Sequence, residues 1–482
     1  MEEADAVIIG SGYGGAIPAA RLAEAGMSVV VLERGPRRST ADLRQSDDPR
    51  YLQTAVDLVI GSDNVAFRTG TMMGGASIAM DGAHFRMPAK SYEVEDGAGR
   101  RLWPQAYDKD AMRPHYERAE QMLKVRQLGW DEIAKTGGLF AKMLSLVGAS
   151  CERARLNYTD CLQCGFCAQG CIYDKKMHLL HTYLPVAESH GAELRAGAMV
   201  DHIEPSGSGH VAHYRRGGQS KQIFSARMIV ACGGIHSPAL LLRSAAWLPK
   251  LSQHLGEHFN NNGEHGFVGI LPPEFDRLDR YWCYQGMDNA GMMSFHWFEE
   301  EGFTLHPGGG IEPSIFAASV DAAGDAVLPA RAWGMAYKRF VESVYPHRVI
   351  AFSALGLAPG HRAVIVKDNG TPDFAPRDRS AADAYLDRLE QIVFAVGKKT
   401  GVAVVPSAPR PLAGTTSAHL LSACRMAESA DHGVVGPDGQ VFGYEKLYVC
   451  DASIVPCALG VNPALTISAL AERIAEGIVQ DG

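Results

Sequence analysis

Residues 6–34 read AVIIGSGYGGAIPAARLAEAGMSVVVLER, and the reading of this stretch decides the fold. Ala6-Val-Ile-Ile9 is a short apolar run that ends at Gly10; residues 15–25 are rich in Ala and Leu, and Ser28 to Leu32 make a second apolar run. Runs this short, separated by glycine and a helical stretch, are expected as strands buried on both faces of a parallel sheet. The order is strand, tight turn, helix, strand. Each glycine has its own task in such a unit: Gly10 permits the turn, Gly12 lets the backbone approach a pyrophosphate, and Gly15 lets helix and strand pack closely. The helix start offers unpaired N–H groups to phosphate. Glu33 falls where an acid accepts hydrogen bonds from a ribose, which disfavours a 2′-phosphate. These residues specify a dinucleotide and leave FAD and NAD both open.

A chain of 482 residues has room for more than one domain and a large core. With 46% hydrophobic and 21% charged residues it falls in the ordinary globular range rather than the disordered one. The net charge of -8 argues against a nucleic-acid surface. Met-Glu-Glu-Ala-Asp at the start has the wrong charge order for a secretory signal, and no run of about 18 apolar residues is present, so a cytoplasmic protein without a transmembrane segment is expected. Ten cysteines do not make a disulfide scaffold in a chain this long.

Beyond the opening unit, Gly70-Thr-Met-Met-Gly-Gly-Ala-Ser77 is a permissive stretch suited to close backbone contact with a bulky ring or a diphosphate. Tyr107 to Leu123 and residues 172–188 read as helices. Glu193 to Ile203, Val211 to Arg216 and Gln222 to Ala231 read as strands, the last entering a glycine turn before a helix at Ser237 to Leu242. Residues 266–410 change character: short runs at 282–284, 292–297, 332–337 and 349–354 sit among Gly, Pro and Asp, with a helix near 380–397. Lys446 to Asp451 is a strand ending in an acid, and Asn462-Pro463 opens an apolar helix to about Ile478. The fold class expected is α/β: a discontinuous Rossmann-like domain at 1–100, 186–265 and 415–482, a helical, cysteine-rich insertion at 101–185, and an α+β substrate domain with a mixed or antiparallel sheet at 266–414.

Taken together, these blocks resemble the glucose-methanol-choline family of FAD-dependent oxidoreductases, and within it the cholesterol-oxidase-like branch. The matching segments are 6–35, 70–88, 161–200, 226–264 and 415–479, about half of the chain, and the most specific is Tyr448-Val-Cys-Asp-Ala-Ser-Ile-Val-Pro456 with Gly460-Val-Asn-Pro-Ala-Leu-Thr466. The resemblance implies FAD held without a covalent bond, His84 alone being weak support for a linkage. It implies cofactor contacts at Gly10, Gly12, Gly14, Gly15, Glu33, Arg34, Gly70, Gly74, Gly75, Ser77, Val200, Ala231, Gly233, Asp451, Asn462 and Pro463. It also implies a catalytic pair. His419 opens His-Leu-Leu-Ser-Ala-Cys424, which lacks the proline and both glycines of the family's His-Pro-Leu-Gly-Gly-Cys segment; Asn462 sits in an undisturbed motif. The branch's catalytic glutamate has no clear counterpart, with Glu312 and Glu342 as candidates.

Cys161, Cys164, Cys167 and Cys171 have the spacing by which thiolates ligate an iron–sulfur cluster. A structural thiol loop and a zinc site are the alternatives, zinc preferring looser paired spacing. The expected activity is oxidation of a bulky cyclic, aromatic or steroid-like alcohol by hydride transfer to flavin N5, with oxygen, a quinone or a protein as electron acceptor. The alternatives are a non-redox lyase or isomerase of the same fold, and an electron-transfer protein with an iron–sulfur centre.

Overall fold

The computed structural model describes residues 1–46, 56–62, 65–274, 282–283, 285–287, 289–309, 313–323, 333–408 and 417–481. Its centre is the expected strand–turn–helix–strand unit: strand Glu2–Ile9, helix Tyr13–Glu24 and strand Val29–Glu33. Strand Val29–Glu33 is buried throughout and ten residues of the helix are buried, as a doubly covered parallel sheet requires.

That sheet has seven strands. Glu193–Ala196, Val29–Glu33, Glu2–Ile9 and Gln219–Val230 lie side by side and parallel, and the upper end of Gln219–Val230 then takes Leu447–Val449 as a further parallel neighbour. The lower end of Gln219–Val230 instead pairs antiparallel with Gly209–Arg216, which pairs with Met199–Ser206. One long strand therefore serves two sheets' worth of neighbours. Its parallel end delivers the glycine turn before helix Gly233–Arg243, and its antiparallel end carries a surface hairpin. The expected discontinuity is real: strands from near residues 2, 193, 219 and 447 converge on one sheet.

The last helix, Ala464–Gln480, packs against Tyr13–Glu24 and Lys109–Met122. Arg21 holds Glu472 by two hydrogen bonds of 2.9 and 2.8 Å, and Tyr183 Oη donates to the same carboxylate at 2.6 Å. Glu472 is 1% exposed, and these partners replace the water that burial takes from its oxygens.

A second, four-stranded antiparallel sheet has the order Phe303–Pro307, Val349–Gly356, His265–Ile270, Ala403–Pro406, backed by helix Ser380–Thr400. It carries its own apolar core around Phe267, Phe352, Leu389 and Val393. Some local expectations fail. Residues 172–178 are irregular, and only Leu179–His181 and Tyr183–Ser189 are helical, because the loop before them is held by side chains from elsewhere. Residues 335–337 of the expected run at 332–337 open a helix, Met335–Arg348, and residue 332 lies outside the described residues. At 292–297 only Met292–Met293 is a strand.

Candidate active site

The turn after the first strand forms one wall of a cleft. Gly10 has φ +104°, and a Cβ there would stand 2.3 Å from the Ala231 carbonyl oxygen. Gly15 is pressed to the Gly10 carbonyl, where a Cβ would come within 2.0 Å, and Gly14 to the Cys450 carbonyl, within 1.6 Å. Gly12 differs. A Cβ on it, or on Gly233 of the opposite turn, would meet nothing within 4 Å, since both face the open cleft.

Of the cofactor contacts expected from sequence, Gly10, Gly12, Gly14, Glu33, Arg34, Gly70, Gly75, Val200, Ala231, Gly233, Asp451 and Pro463 line this cleft. Gly15, Gly74 and Ser77 frame it instead: Gly74 N donates to Ser11 Oγ at 2.9 Å, and Ser77 Oγ donates to the Gly74 carbonyl at 2.7 Å. Arg68, His236 and Arg243 also line it, and no sequence motif announces them.

The two acids of the cleft brace its turns. Glu33 accepts from Ser11 N at 3.0 Å, Ser11 Oγ at 2.6 Å and Gly35 N at 2.8 Å. Asp451 accepts from Gly233 N at 2.8 Å, from Ser453 N at 2.8 Å and from the hydroxyls of Ser237 and Ser453. Burial raises the pKa of Asp451, and these hydrogen bonds oppose that rise without cancelling it. Helix Tyr13–Glu24 begins at the cleft with no side-chain cap, leaving N–H groups for an anion, whereas the first N–H of helix Gly233–Arg243 is taken by Asp451. Open backbone at Gly12, one uncapped helix start and lining arginines fit the diphosphate of a dinucleotide. His84 is fully buried with Nδ1 2.8 Å from the Gly82 carbonyl and Nε2 3.3 Å from Tyr13 Oη, so both ring nitrogens already have protein neighbours.

At one end of the cleft, where Ala418, Leu420 and Pro463 form the wall, their neighbours His419 and Asn462 come together. Asn462 Nδ2 lies 3.5 Å from His419 Nε2, and Asn462 Oδ1 is buried with no hydrogen-bond partner among the described residues. On the other side of the ring, His419 Nδ1 faces Glu264 Oε2 at 3.2 Å. Ser417 Oγ donates to that same Glu264 oxygen at 2.5 Å and accepts from His419 N at 2.9 Å.

Burial disfavours the charged form of His419, but the Glu264 carboxylate, aided by Asp81, outweighs it and holds the imidazole pKa above its ordinary value. Burial likewise pushes Glu264 up, yet His419, Ser417 and His306 bring it down to about 2. His306, on strand Phe303–Pro307, is shifted down, burial being the largest cause, and its Nε2 has no partner among the described residues.

The loops carrying the pair are clamped by one polar segment that precedes strand His265–Ile270. Asn260 exchanges backbone hydrogen bonds with Leu421. Asn262, at φ +61°, accepts from Leu459 N at 2.7 Å and Gly460 N at 3.2 Å and donates to the Val461 carbonyl at 2.8 Å. Sequence reasoning missed this segment and Glu264 with it. The available signal was the unusual run Asn260-Asn-Asn-Gly-Glu264 at a strand start. Of the two glutamates singled out instead, Glu342 is solvent-exposed on helix Met335–Arg348, and Glu312 lies outside the described residues.

Cys161, Cys164, Cys167 and Cys171 are all free thiols. No three of them bring sulfurs within 4.8 Å of one another among the described residues, whereas four thiolates on one zinc stand roughly 3.8 Å apart. Their loop supports the glycine-rich segment: Lys176 Nζ donates to the Met80 carbonyl at 2.6 Å and the Cys167 carbonyl at 3.0 Å. No helix among the described residues is long and apolar enough to cross a membrane.

Known proteins resemble this chain over most of its length. Residues 4–260 and 371–471 match family models described as GMC oxidoreductase. The chain is 25% identical to a cholesterol oxidase of Mycobacterium tuberculosis over 98% of its own length and 90% of the relative's. It is 24% identical to a long-chain-alcohol oxidase of Arabidopsis thaliana over 99% of its own length and 67% of the relative's. A crystal structure of pyridoxine 4-oxidase from Mesorbium loti superposes with a TM-score of 0.69, covering 98% of both chains at 14% identity, which is a likeness of fold.

Proposed function

Since the chain belongs to the GMC oxidoreductase family, FAD-dependent oxidoreductases acting on alcohol groups, we propose that it oxidises a bulky cyclic, aromatic or steroid-like alcohol at the His419–Asn462 pair. FAD, when bound in the cleft, supplies a hydride acceptor at N5 for the carbinol carbon. The observation that carries the proposal is the placement of a half-buried histidine and a buried asparagine, 3.5 Å apart, beside the wall of the dinucleotide cleft.

In this reading His419 Nε2 takes the hydroxyl proton, because it points toward Asn462 while Nδ1 faces the Glu264 carboxylate. Asn462 positions the alcohol through its buried Oδ1, which has no hydrogen-bond partner among the described residues. Glu264 is a positioning residue. It fixes the ring by its contact to Nδ1 and stabilises the imidazolium formed when the proton arrives.

The test is anaerobic. Full-length protein carrying FAD is mixed with a panel of cyclic, aromatic, steroid and long-chain alcohols, and the oxidised flavin band is followed. At least one bulky alcohol is expected to bleach it, faster than ethanol does. FAD that stays oxidised with every alcohol favours the non-redox lyase or isomerase reading. The same spectra address the four cysteines. With their loop serving to brace residues 80 and 167, the expected spectrum is that of flavin alone; broad additional absorbance with several irons per chain would give electrons a cluster route instead.

A further inference from the structure

The surface hairpin at the antiparallel end of the seven-stranded sheet carries a second cluster of chemistry, unrelated to the cleft opening. His202 on strand Met199–Ser206 stands directly opposite His213 on strand Gly209–Arg216. Glu204, two residues along the same strand and so on the same face as His202, reaches His213 Nε2 at 2.7 Å. One ligand atom from each of the three lies within 4.8 Å of the others, and among the described residues this is the one such group of three. We propose that His202, Glu204 and His213 form a surface site for a divalent cation of the zinc, nickel and copper class, with water completing its coordination.

Two imidazoles and one carboxylate are the donor set these cations prefer, and three protein ligands on neighbouring strands leave positions open for solvent. The rings are already arranged. His202 is stacked between His213, at 4.2 Å between centroids, and Trp247, at 4.0 Å, so its rotation is restricted before any ion arrives. Among the described residues the His202 ring nitrogens take no hydrogen-bond partner, whereas His213 is supported from behind: the Gln222 side-chain amide lies 3.2 Å from Nδ1. Such an outer partner orients a ligating imidazole through the nitrogen that does not bind the metal. The cation enters between His213 Nε2 and Glu204 in place of their hydrogen bond, and the neutral imidazole keeps its one hydrogen on Nδ1.

The test uses flavin-loaded full-length protein, stripped with a chelator and titrated with ZnCl2 by calorimetry. One equivalent is expected to bind. That equivalent disappears in His213→Ala, weakens by roughly tenfold or more in Glu204→Gln, and persists in Cys164→Ser. Flavin content and the far-ultraviolet spectrum establish that each variant is folded, and Glu204→Gln, which keeps side-chain shape, guards against a merely structural effect of His213→Ala. Absence of stoichiometric zinc, binding that is unchanged in both hairpin variants, or loss confined to Cys164→Ser overturns the proposal.

Discussion

His419→Ala is expected to slow anaerobic flavin reduction by roughly 10²-fold or more while FAD remains bound. The prediction rests on the distance between the two parts of the site. His419 does not line the diphosphate end of the cleft, and its contacts are Glu264, Ser417 and Asn462, none of which touches the glycine turns. Its removal therefore takes away a proton acceptor and leaves the cofactor's own cradle intact. The pH profile adds a reading that a structural role would not produce. A base must be neutral to act, and the Glu264 carboxylate holds the His419 pKa above 6.5, so the reduction rate is expected to rise with pH through a midpoint above that value. Glu264→Gln removes the charge that favours the imidazolium. Burial then dominates, the midpoint moves to lower pH, and the limiting rate falls because the imidazolium is less stabilised. Unchanged kinetics in His419→Ala, or a midpoint unmoved in Glu264→Gln, would remove these residues from the mechanism.

The second large effect distinguishes two glycines of one motif. Gly14→Ala is expected to cost at least about 3 kcal/mol and to abolish folded protein at 37 °C, because its Cβ would sit 1.6 Å from the Cys450 carbonyl and no flexible side chain is there to yield. Gly12→Ala is expected to fold normally, since its Cβ meets no protein atom within 4 Å, and to lose FAD by roughly tenfold in affinity, a penalty of about 1.4 kcal/mol. Thermal unfolding of cofactor-free protein and FAD titration separate the two. If Gly12→Ala proves as unstable as Gly14→Ala, or if it binds FAD like the parent, the cleft is not filled where proposed. The stability difference between the variants is also a direct probe of how the last strand docks, because Cys450 arrives from the far end of the chain to touch the first turn.

Much of the frame was legible before any coordinates. Short apolar runs before Gly10 and Glu33, punctuated by glycine and separated by one helical stretch, specify buried parallel strands. The final helix was equally plain, its start marked by Asn462-Pro463. The irregular stretch at 172–178 was misread as helix because its shape is imposed from outside: Thr159 N donates to the Lys175 carbonyl, and Lys176 is drawn to Met80 and Cys167. Local propensity carries no trace of such partners.

By itself the sequence determined which segments become strand, turn and helix in the dinucleotide unit, and through its motifs it singled out His419 and Asn462. Periodicity and glycine placement act between residues close in the chain, so a linear reading reaches them. Only the tertiary structure decided that those two side chains meet across 43 residues, that Gly14 is a packing glycine while Gly12 faces open space, and that Glu264 rather than Glu342 stands behind the histidine. These are contacts between distant segments, set by how Asn260 and Asn262 tie the 421 and 459–461 loops together. A carboxylate's effect on an imidazole depends on a few ångströms of separation and on the water excluded between them, and neither quantity is written in the spacing of residues along the chain.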